Sequence, residues 1–174
     1  STPSNSSAAS DVYKRQMLRS VHMLGNEEEI IFAATDLLAD TKLAPELSNE
    51  AHYYRAKAYL DAGKTDGAME DLKVLAKDTR NVYGAEAKYK VAQIYFDGGQ
   101  TDKAEQEVLN YIEVSTPHTY WLARSFVLLA DVYMKLGRNL DAKQYLLSLK
   151  QNYQADDDIA GMIESRLEKL KTEN

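Results

Sequence analysis

One spelling recurs three times in this chain: an Ala, a Tyr three residues on, a Gly four further and an Ala five further. It reads Ala56–Tyr59–Gly63–Ala68, then Ala92–Tyr95–Gly99–Ala104, then Ala130–Tyr133–Gly137–Ala142, with the glycines 36 and 38 positions apart. A repeat of this period predicts stacked helix hairpins, because a single hairpin cannot bury its apolar face alone. No other feature of the sequence narrows the fold as much.

Each letter has a physical role. Offsets of three and four place the first Ala, the Tyr and the end of the helix on one face. The Gly ends that helix in the left-handed region, where a Cβ is penalised. Thr65, Thr101 and Asn139, two residues later, are expected to cap a second helix through their side-chain oxygens. Asp66, Asp102 and Asp141 follow, where the helix dipole favours negative charge. The closing Ala68, Ala104 and Ala142 let the second helix lie close to the first, and a larger residue there should overpack by ~1–3 kcal/mol.

The remaining segments extend the pattern. Gly25 lies 38 positions before Gly63 and keeps phase, with Leu18, Val21 and Ile30 at the Ala, Tyr and Ala places. Met17–Leu24 predicts a short helix and Glu27–Thr41 its partner. Asn81 is positioned to cap a helix over Val82–Asp97. Thr116-Pro117 reads as a cap followed by proline at the first helical position. Asp156, Asp157 and Asp158 precede a helix ending near Lys171, whose Ile159, Met162, Ile163, Leu167 and Leu170 form one apolar stripe. That stripe suits a cap on the last unit. At the other end Met17, Leu18, Val21 and Leu24 are expected to form an exposed apolar edge in contact with missing upstream repeats. The expected units are 17–45, 46–81, 82–115 and 116–155, with a cap helix over 156–172.

These residues resemble the tetratricopeptide repeat (TPR) family: the small residue at Ala56, Ala92 and Ala130, the Tyr, the turn Gly and the second-helix Ala. The resemblance covers roughly residues 17–174. It implies an all-α fold, a right-handed α-solenoid of antiparallel helix hairpins, and a non-catalytic scaffold that binds a protein or peptide on its concave face. Alternatives are a self-assembling or envelope-complex structural subunit, and an accessory domain of a larger enzyme. The usual repeat is ~34 residues; these units are longer, and Pro117 is the only candidate for the usual late proline. Long units of this kind resemble TPR proteins of the bacterial cell envelope, such as partners of the Tol–Pal system and outer-membrane assembly lipoproteins. That likeness points to the periplasm or outer membrane.

Residues 6–16 match the translation of a transposase-type sequencing adapter, and Ser1-Thr2-Pro3 fits its upstream flank. Residues 1–16 are therefore expected to be a disordered, non-native tail, excluded from fold reasoning. On this reading the Asn5-Ser6-Ser7 sequon carries no meaning, and Met17 is internal to a longer protein of which this is the C-terminal part.

The chain has 21 Lys+Arg and 27 Asp+Glu; setting aside Lys14, Arg15 and Asp11 leaves 19 against 26, an acidic balance that argues against a nucleic-acid partner. There is no Cys, hence no disulfide framework or thiolate site. No apolar run reaches the ~18 residues of a membrane span. Twelve Tyr against three Phe suit half-buried walls where a ring packs and its hydroxyl stays wet.

No motif of phosphate binding, nucleophilic catalysis or zinc hydrolysis is present, so no catalytic residue, cofactor or metal site is expected. His22, His52 and His118 lack metal-motif spacing and read as structural or surface groups. Asp97-Gly98-Gly99 lacks the acidic spacing of a calcium loop. The Asp156–Asp158 run reads as a helix start rather than a cation site. The chaperone-type carboxylate clamp is not matched by Lys57, Lys90 and Arg124. The family's inner wall implies three rows of partner-binding residues: Tyr53, Lys57 and Leu60; Tyr89, Gln93 and Phe96; Val127, Asp131 and Met134. Alternating anchors and polar groups suit a held peptide. Equally, Leu60, Phe96 and Met134 fit inter-repeat core. Trp121, Tyr120 and Tyr111 are expected to pack between the last two units.

Overall fold

The computed structural model describes residues 5–173, which are all-α, with no strand among them. They fall into two compact units, Ser1–Lys77 and Asp78–Asn174. The first contains α1 (Asn5–Leu24), α2 (Glu27–Leu38), α3 (Pro45–Asp61) and α4 (Thr65–Leu75). The second contains α5 (Val82–Asp97), α6 (Thr101–Glu113), α7 (Thr119–Lys135), α8 (Asn139–Asn152) and α9 (Ile159–Thr172). Helices α3/α4, α5/α6 and α7/α8 form the three hairpins, α2 packs on α3, and α9 packs on both α7 and α8.

The three hairpin turns are built alike. Gly63, Gly99 and Gly137 have φ of 72°, 76° and 74°. Each N–H bonds a carbonyl three residues back (Leu60, Phe96, Met134), and the next N–H (Lys64, Gln100, Arg138) bonds the repeat Tyr carbonyl at 2.8 Å. This is the Schellman arrangement, which closes the open carbonyls of the first helix. A Cβ at these glycines would meet nothing within 4 Å. Backbone conformation, not space, therefore requires glycine there.

The expected caps differ. Lys64, Gln100 and Arg138 stand at the N-cap with no side-chain cap bond, and Thr65, Thr101 and Asn139 are already the first helical residues. The turn is one residue tighter than a separate cap would need, because the residue closing the first helix also opens the second. Its carbonyl accepts from the repeat Ala68, Ala104 or Ala142, and all three alanines are fully buried. Asn81 caps as expected, accepting from the N–H of Tyr83 at 2.8 Å. Thr116 does not start a helix. Its hydroxyl donates to the Thr79 carbonyl (2.7 Å), Thr79 donates to the Ser115 carbonyl (3.0 Å), and α7 begins two residues past Pro117. The hydroxyl hydrogen thus joins two loops, while its oxygen accepts from the N–H of His118 (3.1 Å), the residue just ahead of α7.

Residues 5–16 are not disordered: they are the first turns of α1. The segment lacks internal Gly or Pro, and its later part is anchored, with Lys14 3.0 Å from Asp40 and Arg15 3.4 Å from the buried Glu50. Helicity concerns conformation alone, not the origin of the segment; residues 1–4 of the expected tail lie outside the described residues. Leu18 also departs from expectation. It is fully buried with Ala34, Leu37, Leu47 and Ala51, because the longer α1 lies along α2 and α3. Met17 and Leu24 do stay exposed, with Val21 half-buried. The stripe of α9 is buried as a cap should be, Ile159, Ile163, Leu167 and Leu170 joining the core of the second unit.

Candidate functional site

The first helices of the hairpins carry the residues expected to meet a partner. On α3, Tyr53, Lys57 and Leu60 are half-buried. The Lys57 ammonium lies 5.4 Å from the Tyr53 ring centroid, and Tyr53 tilts against Tyr54 at 5.8 Å. A cation held over a ring keeps its charge outward while its stem covers apolar surface.

On α5 the row divides. Tyr89 is 6% exposed and belongs to the core. Its ring stacks on Trp121 at 5.7 Å, and its hydroxyl accepts from Arg124 (2.9 Å) while donating to Gln93 (2.8 Å). Burial pushes that hydroxyl above its ordinary pKa, with the Arg124 charge opposing, so it stays a neutral donor. Gln93 passes the chain on to Asp97 at 2.8 Å. Phe96 is half-buried, packed on the core beneath the Lys135 ammonium at 5.5 Å. Arg124 also donates to Tyr120 (3.0 Å), whose hydroxyl reaches Asp158 (3.0 Å). The polar line Asp97–Gln93–Tyr89–Arg124–Tyr120–Asp158 therefore joins α5, α7 and the start of α9. Tyr120, Trp121 and the buried Tyr111 pack as core or seam, as their sequence positions suggested.

On α7 the row is covered by α9. Val127 is buried, Met134 packs against the same cluster, and Asp131 receives two bonds from Arg166, at 2.6 and 2.9 Å. Val127 is thus packed, and Asp131 paired, within this unit. Sequence reasoning saw the cap but not which face it would occupy; the 35-residue spacing of Asp131 and Arg166, the same as that of Tyr89 and Arg124, was the available signal.

His52 and His22 each belong to a buried or half-buried group whose partners the sequence pattern does not mark. Asp71, only 1% exposed, is bound by His52 Nδ1 (2.7 Å) and by Arg55 through Nε (2.8 Å) and Nη2 (2.7 Å), and Arg55 also reaches Thr35 of α2 (3.1 Å). Burial would raise the Asp71 pKa, but bonds from His52 and Arg55 outweigh it and hold the carboxyl below its usual range. His22 stacks on Tyr54 at 4.2 Å, and burial lowers its pKa. No group of His or carboxylates fit to hold a metal occurs among the described residues. Asp157 accepts from the Ile159 N–H at 2.9 Å, so the acidic run serves the start of α9. No described helix is long and apolar enough to cross a membrane.

Comparison with known proteins agrees with this architecture. Residues 50–78 and 123–151 match two tetratricopeptide repeat family models. Two crystal structures of TPR-like repeats assigned to a kinesin light chain of Podosopora anserina, one of them a point variant, are similar in fold. Their TM-scores are 0.57 and 0.56 at 15% identity, with 92% of each chain covered. No curated protein matches the chain. The fold is thus an all-α helical repeat of the TPR type, a class that generally mediates protein–protein contacts.

Proposed function

We propose that this chain is a non-catalytic interaction module that holds a peptide or partner domain against its first helices. The carrying observation is a half-buried, polar-edged aromatic face on a first helix of each unit: Lys57 on Tyr53 along α3 in the first, and Phe96 beside Gln93 along α5 in the second. Rigid rings and a pre-bonded amide lose little entropy when a ligand docks. Tyr53, Lys57, Leu60, Gln93 and Phe96 are the contact residues in this reading; Tyr89 holds Gln93 in place from below. The long units and sparse prolines support a bacterial envelope setting by resemblance to such TPR proteins.

The test is selection of a displayed random-peptide library on the full chain, followed by titration calorimetry of enriched peptides. Binding should weaken about tenfold or more in Gln93→Ala/Phe96→Ala and in Tyr53→Ala. Peptides bound equally by these variants and the parent would remove the first-helix reading.

A further inference from the structure

Two surfaces on second helices carry opposite charge. On α2, Phe32 is 76% exposed. Glu28, Glu29 and Asp36 stand one turn before and after it, and with Met17, Val21 and Ala33 they line an open groove of about 640 Å³. Positions i−4, i−3 and i+4 share a helix face with Phe32. Phe32 thus forms an exposed apolar ridge along one side of that groove, edged by three carboxylates. On α8, Leu147 is 45% exposed, with Lys143 and Lys150 a turn to either side. Together with Leu167, Leu170, Lys171 and Glu164 of α9 they line a cleft of about 250 Å³. That volume is below the ~300–1,000 Å³ of small-molecule sites and suits a single inserted side chain. The rim bears three lysines against one carboxylate, Glu164, which already pairs with Lys150 at 2.6 Å; Glu168 lies 3.6 Å from Lys171.

We infer that the α2 ridge of one copy docks into the α8/α9 cleft of a second copy, with Phe32 seated on Leu147, Leu167 and Leu170, and Glu28, Glu29 and Asp36 facing Lys143, Lys150 and Lys171. The net charge of −6 opposes association at long range. The Debye length is only ~8 Å at physiological salt, so local sign at the contact governs once the surfaces meet. Two different patches make this a heterologous contact, which propagates rather than stopping at a symmetric pair unless it closes into a ring. The surface is separate from the first-helix faces, so the peptide-binding reading stands or falls independently.

Sedimentation velocity over a concentration series tests it. The parent chain should show an average mass that rises with concentration, and Phe32→Ser should weaken association about tenfold or more while helicity by circular dichroism is kept. Glu28→Lys/Asp36→Lys and Lys143→Glu/Lys150→Glu should each be monomeric alone, because each carries two patches of like sign. Mixed together they should associate, since every contact is again between opposite charges. A parent monomeric throughout, a Phe32→Ser variant that associates as the parent does, or a mixture no larger than its components would each overturn the inference. So would a monomeric parent that binds a basic amphipathic peptide at Phe32, which would give the face to another partner.

Discussion

His52 and Asp71 in the first unit occupy the same hairpin positions as Phe126 and Tyr145 in the second: four residues before the first repeat Ala and three after the last. The first pair is a 2.7 Å hydrogen bond to a buried carboxylate; the second is a ring pair at 6.1 Å. Between them in sequence, Lys88 and Glu107 hold the same places with an ion pair at 3.0 Å. The turn Gly and close-packed Ala bring these positions together whatever they carry. Contact chemistry is then free to vary, and with it the cost of loss. A ring pair adds apolar area, whereas a buried carboxylate left with fewer partners, or cations left without it, is penalised.

The strongest challenge to this comparison is Asp71→Ala. It strands Arg55 and His52 between three helices and should destabilise the first unit by roughly 3–5 kcal/mol. Hydrogen exchange should show faster opening across α2–α4 with little change in α7–α9. The same group sets an acid response. Its folded pKa lies below the unfolded value, so its stabilisation is complete above about pH 4 and is lost as pH falls through the folded value. Protection in the first unit should therefore decline on acidification, and Asp71→Asn should flatten that decline.

Smaller effects sharpen the shared part of the comparison. Ala104→Leu should cost ~1–3 kcal/mol by urea denaturation, because Ala104 is fully buried at a helix crossing. Gly99→Ala should cost ~1–2 kcal/mol although its Cβ would have room, since φ there is 76°. Glu107→Ala should stay within ~1 kcal/mol, its side chain being 31% exposed. Should Glu107→Ala equal Asp71→Ala in cost, burial would not be what separates the two ion pairs.

The hairpins were legible because their signals are local. Gly63, Gly99 and Gly137 act through their own φ, and Asn81 through an N–H two residues away. Thr65, Thr101 and Asn139 misled because capping residues and first-turn residues have overlapping composition, and one residue of turn length decides between them. Thr116 misled because its hydroxyl binds the Thr79 carbonyl, 37 residues earlier, and the His118 N–H, which lies ahead of the first helical residue. Of the candidate site, the α3 residues are half-buried, while Tyr89 and Val127 lie in the core. Nothing in the local pattern tells a groove wall from a seam, since both are apolar positions on the same helix face.

The sequence by itself determined the repeated helix–turn–helix unit, its Gly turns and Ala crossings, because those depend on backbone sterics and on contacts between residues near in the chain. Only the tertiary structure decided that α1 runs through residues 5–16, that Asp71 gathers His52 and Arg55, and that α9 pairs with Asp131 through Arg166. Those outcomes turn on which distant side chain reaches a buried charge or an apolar face first, and periodicity carries no record of that competition.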